Sequence, residues 1–148
     1  MSETPPRGHE ILAHTADAGL RAEAPDLPAL FEEAAAALGE LGGEVAPDAP
    51  LGTPDAIALE ASDLAALAFA WLNELVGLAD LRHAALARAE VTRVQGIDGS
   101  WRLTGRAWFV PRDGRSARPR RDIKSATYHG LAVERSGGGW RMIAYLDL

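Results

Sequence analysis

Two apolar stripes with helical spacing, each entered from a segment of alternating polarity, constrain this chain more than any other feature. In the first, Leu27, Leu30, Phe31, Ala34, Leu38 and Leu41 recur three and four residues apart, the spacing that collects side chains on one helix face. Asp26 is placed to cap this helix, Pro28 is tolerated in its first turn, and Gly42-Gly43 ends it. In the second, Leu64, Leu67, Ala68, Trp71, Leu72, Leu75, Leu78 and Ala79 form a wider stripe, with Asn73, Glu74, Gly77 and Asp80 off it. Ser62 reads as its cap, with Asp63 favourably placed against the helix dipole. Ahead of the helices, residues 18–24 and 57–61 alternate with the period of a half-buried strand. Stripes of this width must be buried against another layer, so the two units call for sheet to pack on.

The rest of the chain supplies it. Ala87, Ala89 and Val91 alternate with Arg88, Glu90 and Thr92; Asp98-Gly99 is a hairpin turn signal; Trp101, Leu103, Gly105 and Ala107 form the inner face of the return strand. Residues 125–135 and 140–147 are two further strands joined through Gly137-Gly138-Gly139. Residues 44–55, with three prolines and a glycine, read as a connecting loop, and residues 110–122 as an arginine-rich loop. The order is strand and helix, then strand, helix, strand and strand, then two strands. Joining the first strand and helix to the last two strands gives one strand–helix–strand–strand module inserted in another. The expected class is α+β, with helices on mostly antiparallel sheet. A single domain over 1–148 is expected, with an outer module of about 9–43 plus 123–148 and an inserted module of about 56–109.

Composition removes several kinds of chemistry. The chain has no cysteine, which excludes disulfides, thiolate metal sites and a cysteine nucleophile. Its four histidines are scattered without the i,i+4 pairing of a zinc site. There is no G-x-S-x-G, and the glycines at 137–139 precede a strand, so they are not a phosphate-binding loop. A net charge of −6 argues against coating nucleic acid through the overall field. No apolar run approaches the ~18 residues needed to span a membrane. The segment Met1–Arg7 lacks the apolar core of a signal peptide, so a cytoplasmic protein with no membrane partner is expected.

Acidic groups at the two ends of the chain are the main candidates for function. Asp17 precedes a strand and reads by itself as a turn former; Asp147 reads by itself as a terminal acid. If their strands pair, the two carboxylates share a site with the terminal carboxylate of Leu148. Carboxylates ~4 Å apart at a surface repel by about 1–4 kcal/mol, which a raised pKa or a bound cation relieves. An all-oxygen set suits calcium or magnesium. His14 lies three residues before Asp17. His129 shares its alternation with Leu131 and Val133 and reads as a half-buried structural histidine. Of the fifteen Lys and Arg residues only Lys124 is lysine, a hint that a compact point charge is required there. Arg112, Arg115, Arg118, Arg120 and Arg121 form either a solvated loop or a docking patch for RNA phosphate or an acidic protein surface.

Four segments in fixed order carry a family resemblance. His14-Thr15-Ala16-Asp17-Ala18-Gly19-Leu20 with the helix around Leu30-Phe31-Glu32-Glu33-Ala34, then Trp71-Leu72-Asn73-Glu74-Leu75, then Ile123-Lys124-Ser125-Ala126-Thr127-Tyr128-His129-Gly130, and finally Trp140 to Leu148 together resemble the archease family over about 9–148. The resemblance implies nested strand–helix–strand–strand modules. It also implies a divalent metal held by Asp17 and Asp147, with Leu148 contributing a terminal or backbone oxygen; calcium or magnesium is expected, with manganese a further candidate. The family's lysine falls on Lys124, and Lys124, Asp17, His14 and His129 are the expected ligase-activating residues. The resemblance implies no enzyme activity of its own for this chain, as for the family's members. They help an RtcB-type RNA ligase take up guanylate from GTP on its own histidine, for multiple turnovers in tRNA splicing or RNA repair. RNA is then expected to be reached through the ligase, which also owns the nucleotide and the catalytic manganese.

Two departures concern the inserted module: Gly105-Arg106 stands where a Gly-Glu pair is expected, and residues 109–122 are rich in arginine and free of histidine. Two other functions fit the same residues. One is a metal-dependent phosphoester hydrolase using the acidic pair, with His14 as base. The other is a metal-free binding module using a sheet face.

Overall fold

The structure is a computed structural model that describes residues 5–13 and 17–148. Its strands are β1 (Gly8–Ala13), β2 (Asp17–Ala24), β3 (Gly43–Val45), β4 (Asp55–Ala61), β5 (Ala84–Ile97), β6 (Ser100–Pro111), β7 (Ala117–Pro119), β8 (Ser125–Ser136) and β9 (Gly139–Asp147). Its helices are α1 (Leu27–Gly42) and α2 (Leu64–Arg82). A four-stranded antiparallel sheet in the order β1-β2-β9-β8 takes its strands from the two ends of the chain. A three-stranded antiparallel sheet, β4-β6-β5, comes from between them. The α+β class and the nesting of one strand–helix–strand–strand unit in another therefore hold.

The helices join the sheets. α1 lies against β2 and β5, and α2 against β8, β4 and β6, so each helix covers both sheets. Leu20, Phe31, Leu67, Trp71, Leu72, Leu103, Met142 and Leu146 consequently belong to one continuous core. The Trp71 indole is fully buried, and its Nε1 donates to the Phe31 carbonyl at 2.9 Å. That bond gives the polar edge of a large apolar ring the partner it needs inside. α1 comes close to β5 because residue 39 is glycine: a Cβ there would sit 2.9 Å from the Leu86 carbonyl oxygen.

Asp26 caps α1 as expected, accepting from Ala29 N–H at 2.9 Å. The cap of α2 is Asp63, which accepts from Ala66 N–H at 2.7 Å, and not Ser62. Either residue type can cap, and the chain enters the helix one residue later than the Ser reading implies. Asp98 and Gly99 turn the β5–β6 hairpin with φ of 49° and 78°, and Gly137 and Gly138 turn β8 into β9 with φ of 57° and 84°. Positive φ at both central residues is the hairpin geometry these sequences favour.

Several other readings are corrected. β1 is an additional edge strand, absent from the sequence-based order. The connecting loop at 44–55 begins within β3, which pairs with β7 from inside the arginine-rich segment. In that segment Asp113 accepts from the backbone N–H groups of Arg115 and Ser116, and Gly114 follows with φ 80°. The N–H of Ser116, then that of Arg115, holds the Asp113 carboxyl below the usual carboxylate range. The alternation of β5 is interrupted by bulges between Leu86 and Arg88 and between Val91 and Arg93. Finally, α2 has 19 residues and a window of mean hydropathy 1.5, long and apolar enough by composition to cross a membrane, although no uninterrupted apolar run reaches that length. Its Leu67, Ala68, Trp71, Leu72 and Leu75 are spent on the core.

Candidate functional site at the end of the four-stranded sheet

The register of β2 on β9 decides what the two acidic ends do. Asp17 and Asp147 are direct partners across antiparallel strands, and Ser125 is the partner of Asp147 on its other side. Asp17 is the first residue of β2 and is paired with β9. Directly opposed residues project to the same face with Cβ atoms about 4.5–5.5 Å apart. Ala144 and Leu146 point into the core, so Ile143, Tyr145 and Asp147 share the opposite face. The Ser125 hydroxyl donates to Asp147 Oδ2 at 3.3 Å. The outer end of the sheet thus carries a rung of Asp17, Asp147 and Ser125, with Leu148 next in the chain.

Lys124 meets this rung through its backbone. Its N–H donates to the Asp147 carbonyl at 2.9 Å. Its exposed side chain lines a groove of about 310 Å³ with Asn73, Val76, Gly77, Asp80 and Asp122, on the α2 side of the sheet. The lysine and the carboxylate pair are therefore neighbours in the backbone but serve different surfaces.

Asn73 fixes this junction, and the sequence reading missed it by placing it among residues off the apolar stripe. Its Oδ1 accepts from Ala126 N–H at 2.9 Å, while its Nδ2 donates to the Ala126 carbonyl at 3.2 Å and to the Phe69 carbonyl at 3.1 Å. β8 is an edge strand, and the amide supplies at Ala126 what a further strand would supply. An amide in an otherwise apolar helical stretch was the available signal.

His129 is exposed, correcting the half-buried reading. The pairing of β8 to β9 breaks between Thr127 and Ala132, so residues 128–131 bulge away and lose the strand alternation. Gly130 makes this bulge possible, with φ 73° and a position where a Cβ would lie 2.7 Å from the Tyr145 ring. Gly19 lies on the same ring from β2, its Cβ position 3.1 Å away. Tyr145, two residues before Asp147, is thus the surface on which the His129 bulge rests. Next in the bulge, Tyr128 stacks on Phe69 of α2, with centroids 4.1 Å apart. His14 lies outside the described residues.

Two carboxylates on one rung and a hydroxyl are an all-oxygen donor set, which would suit a hard divalent ion and not zinc. Among the described residues no group of three or more His, Cys, Asp or Glu side chains is placed to hold a metal ion, so an ion here would draw on backbone or water for its remaining ligands.

Residues 9–148 match the archease protein family. The chain belongs to the archease family. Relatives include the archease of Pyrococcus furiosus, 31% identical over 133 residues that cover 90% of this chain and 92% of that protein. The Methanopyrus kandleri archease is 31% identical over 139 residues, covering 94% and 98% of the two chains. Among solved structures, a Methanobacterium thermoautotrophicum protein in solution superposes with a TM-score of 0.82 at 27% identity, covering 95% of this chain and 99% of that one. A Thermotoga maritima crystal structure, described as an archease and possible chaperone, shares the fold at a TM-score of 0.55 and 18% identity over 100% of this chain and 98% of its own.

A second set of contacts escaped the sequence reading. His9 of β1 reaches α1 with both ring nitrogens, Nδ1 at 2.9 Å from Glu33 Oε1 and Nε2 at 3.0 Å from Glu40 Oε2, while Arg7 also binds Glu33. Partial burial opposes charge on His9, but hydrogen bonds to Glu33 and Glu40 outweigh it and raise its pKa. Partial burial likewise opposes charge on Glu33, yet His9 and Arg7 lower its pKa on balance.

Proposed function

We propose that this chain is a non-enzymatic accessory protein for an RtcB-type RNA ligase, promoting guanylylation of the ligase and multiple turnover in tRNA splicing or RNA repair. The observation that carries the reading is the direct pairing of Asp17 with Asp147 beside the Lys124–Ser125 backbone, in a chain of the archease family. Asp17 and Asp147, with an oxygen of Leu148, are the residues that would hold a divalent ion, calcium or magnesium before manganese. Such an ion would supply positive charge at the acidic rung and relieve the repulsion of the two carboxylates. Lys124 and the exposed His129 offer a compact cation and an imidazole to a partner surface, and His14 precedes Asp17 in the sequence. Asn73 and Tyr145 hold the segments that present them. A cytoplasmic setting fits the partner.

The test is multiple-turnover ligation by an RtcB-type ligase with GTP and manganese, with and without this chain. Wild type is expected to raise the number of turnovers, and Asp17→Ala to remove most of that gain. Equal turnover with and without wild-type protein contradicts the proposal. So does Asp17-dependent hydrolysis of a phosphoester by the chain alone, the outcome expected of a metal-dependent hydrolase.

A further inference from the structure

The three-stranded sheet has one face under the helices and one face open. Ile57, Val91, Leu103 and Ala107 point into the core. Alternation therefore places Arg102, Thr104, Arg106 and Trp108 of β6 on the other side. The register sets Arg88 opposite Trp108, Glu90 and Ala56 either side of Arg106, Arg93 and Ala58 either side of Thr104, and Gln95 and Glu60 either side of Arg102. Four arginines meet two glutamates on this face, a local positive excess on a chain whose net charge is −6.

Its chemistry is specific. The Arg88 and Arg106 guanidinium carbons lie 5.2 Å and 4.9 Å from the centroid of the Trp108 ring, and both groups also bind Glu90. The carboxylate orients two planar cations against an aromatic ring, offering flat π-faces and N–H donors together. Arg102 lies four residues from Arg106 along β6, about 14 Å at strand rise, and Arg93 has no partner among the described residues. Between them lie the small side chains of Ala56, Ala58 and Thr104, which offer no large apolar contact.

We infer that the open face of the β4-β6-β5 sheet, centred on Arg88, Arg106 and Trp108 and extended by Arg93 and Arg102, binds a single-stranded polynucleotide. Guanidinium groups take the phosphates, and bases stack on the Trp108–arginine cluster. This goes beyond the proposed ligase role and differs from the expectation that RNA is reached only through the ligase.

The test is fluorescence anisotropy of a labelled twelve-nucleotide oligouridylate with the full chain at 50 mM salt, with a polyglutamate of matched charge as competitor. Binding is expected to weaken roughly tenfold between 50 and 200 mM salt, as for two to three phosphate contacts. Arg102→Glu/Arg106→Glu and Trp108→Ala are each expected to weaken it by about tenfold or more, with circular dichroism unchanged. Arg106→Lys separates stacking from charge: retained salt dependence with weaker binding is expected. The inference is overturned by no binding, by equal binding of the double variant, or by polyglutamate displacing the oligonucleotide at equal charge. Failure here leaves ligase stimulation intact, whereas failure of the ligase proposal leaves oligonucleotide binding intact.

Discussion

Asn73 on α2 is bonded to both backbone groups of Ala126 on β8, taking the N–H at 2.9 Å and giving to the carbonyl at 3.2 Å. A helix side chain thereby completes the edge of the sheet, two residues after Lys124 and one after Ser125. Asn73→Ala leaves the Ala126 N–H and carbonyl without these partners, and a lost pair of part-buried bonds of this kind costs about 1–3 kcal/mol. Chemical denaturation is expected to show that loss, and amide exchange at Lys124–Thr127 to quicken more than elsewhere. Asn73→Asp keeps the acceptor but replaces the donor with a charge facing a carbonyl, so it is expected to be at least as damaging.

Trp71 joins the helices. Trp71→Phe removes the donor to the Phe31 carbonyl and leaves part of the ring's volume empty in a fully buried place. A loss of about 2–4 kcal/mol is expected by denaturation, with the two-state transition preserved.

The clip between β1 and α1 makes stability depend on pH. The pKa of His9 is raised in the folded state, so its contribution is fully present below the unfolded pKa and lost as pH rises through the folded one. The pKa of Glu33 is lowered, so its contribution is present above the unfolded carboxylate pKa and lost as pH falls through the folded one. His9→Ala is therefore expected to destabilise by about 1–2 kcal/mol near pH 6 and much less near pH 9. Thermal melts of both proteins at the two pH values check it; an equal deficit at both contradicts the ionic reading.

Gly130 tests the bulge. Gly130→Ala forces a Cβ at positive φ against the Tyr145 ring, with an expected cost of about 1–3 kcal/mol. The expected signature is a larger loss of ligase stimulation than of stability, because the bulge presents His129. Equal losses in both are the contrary result.

Much of the fold was legible because periodicity and turn chemistry agree. Leu27 to Leu41 follows one helix face, Asp98-Gly99 has the φ signs its turn needs, and Ala18, Leu20, Ala22 and Ala24 alternate into the core. The acidic rung was legible only conditionally: two lone aspartates became partners once β2 met β9, and long-range register is not written in local pattern. His129 was misread because its alternation presumed an unbroken strand, which the 128–131 bulge removes. Asn73 and His9 were missed because their partners lie 53 and 24 or more residues away, beyond the reach of spacing rules. β3 and β7 escaped because three-residue strands that start at glycine or end at proline resemble loops.

The central claim is that Asp17 and Asp147 act as one cation site, and calorimetric titration with calcium tests it most directly. Wild type is expected to bind one ion per chain, and Asp17→Asn and Asp147→Asn each to abolish the heat while leaving the fold unchanged by circular dichroism. Binding of equal strength in both variants, or no calcium, magnesium or manganese binding by wild type, contradicts the account.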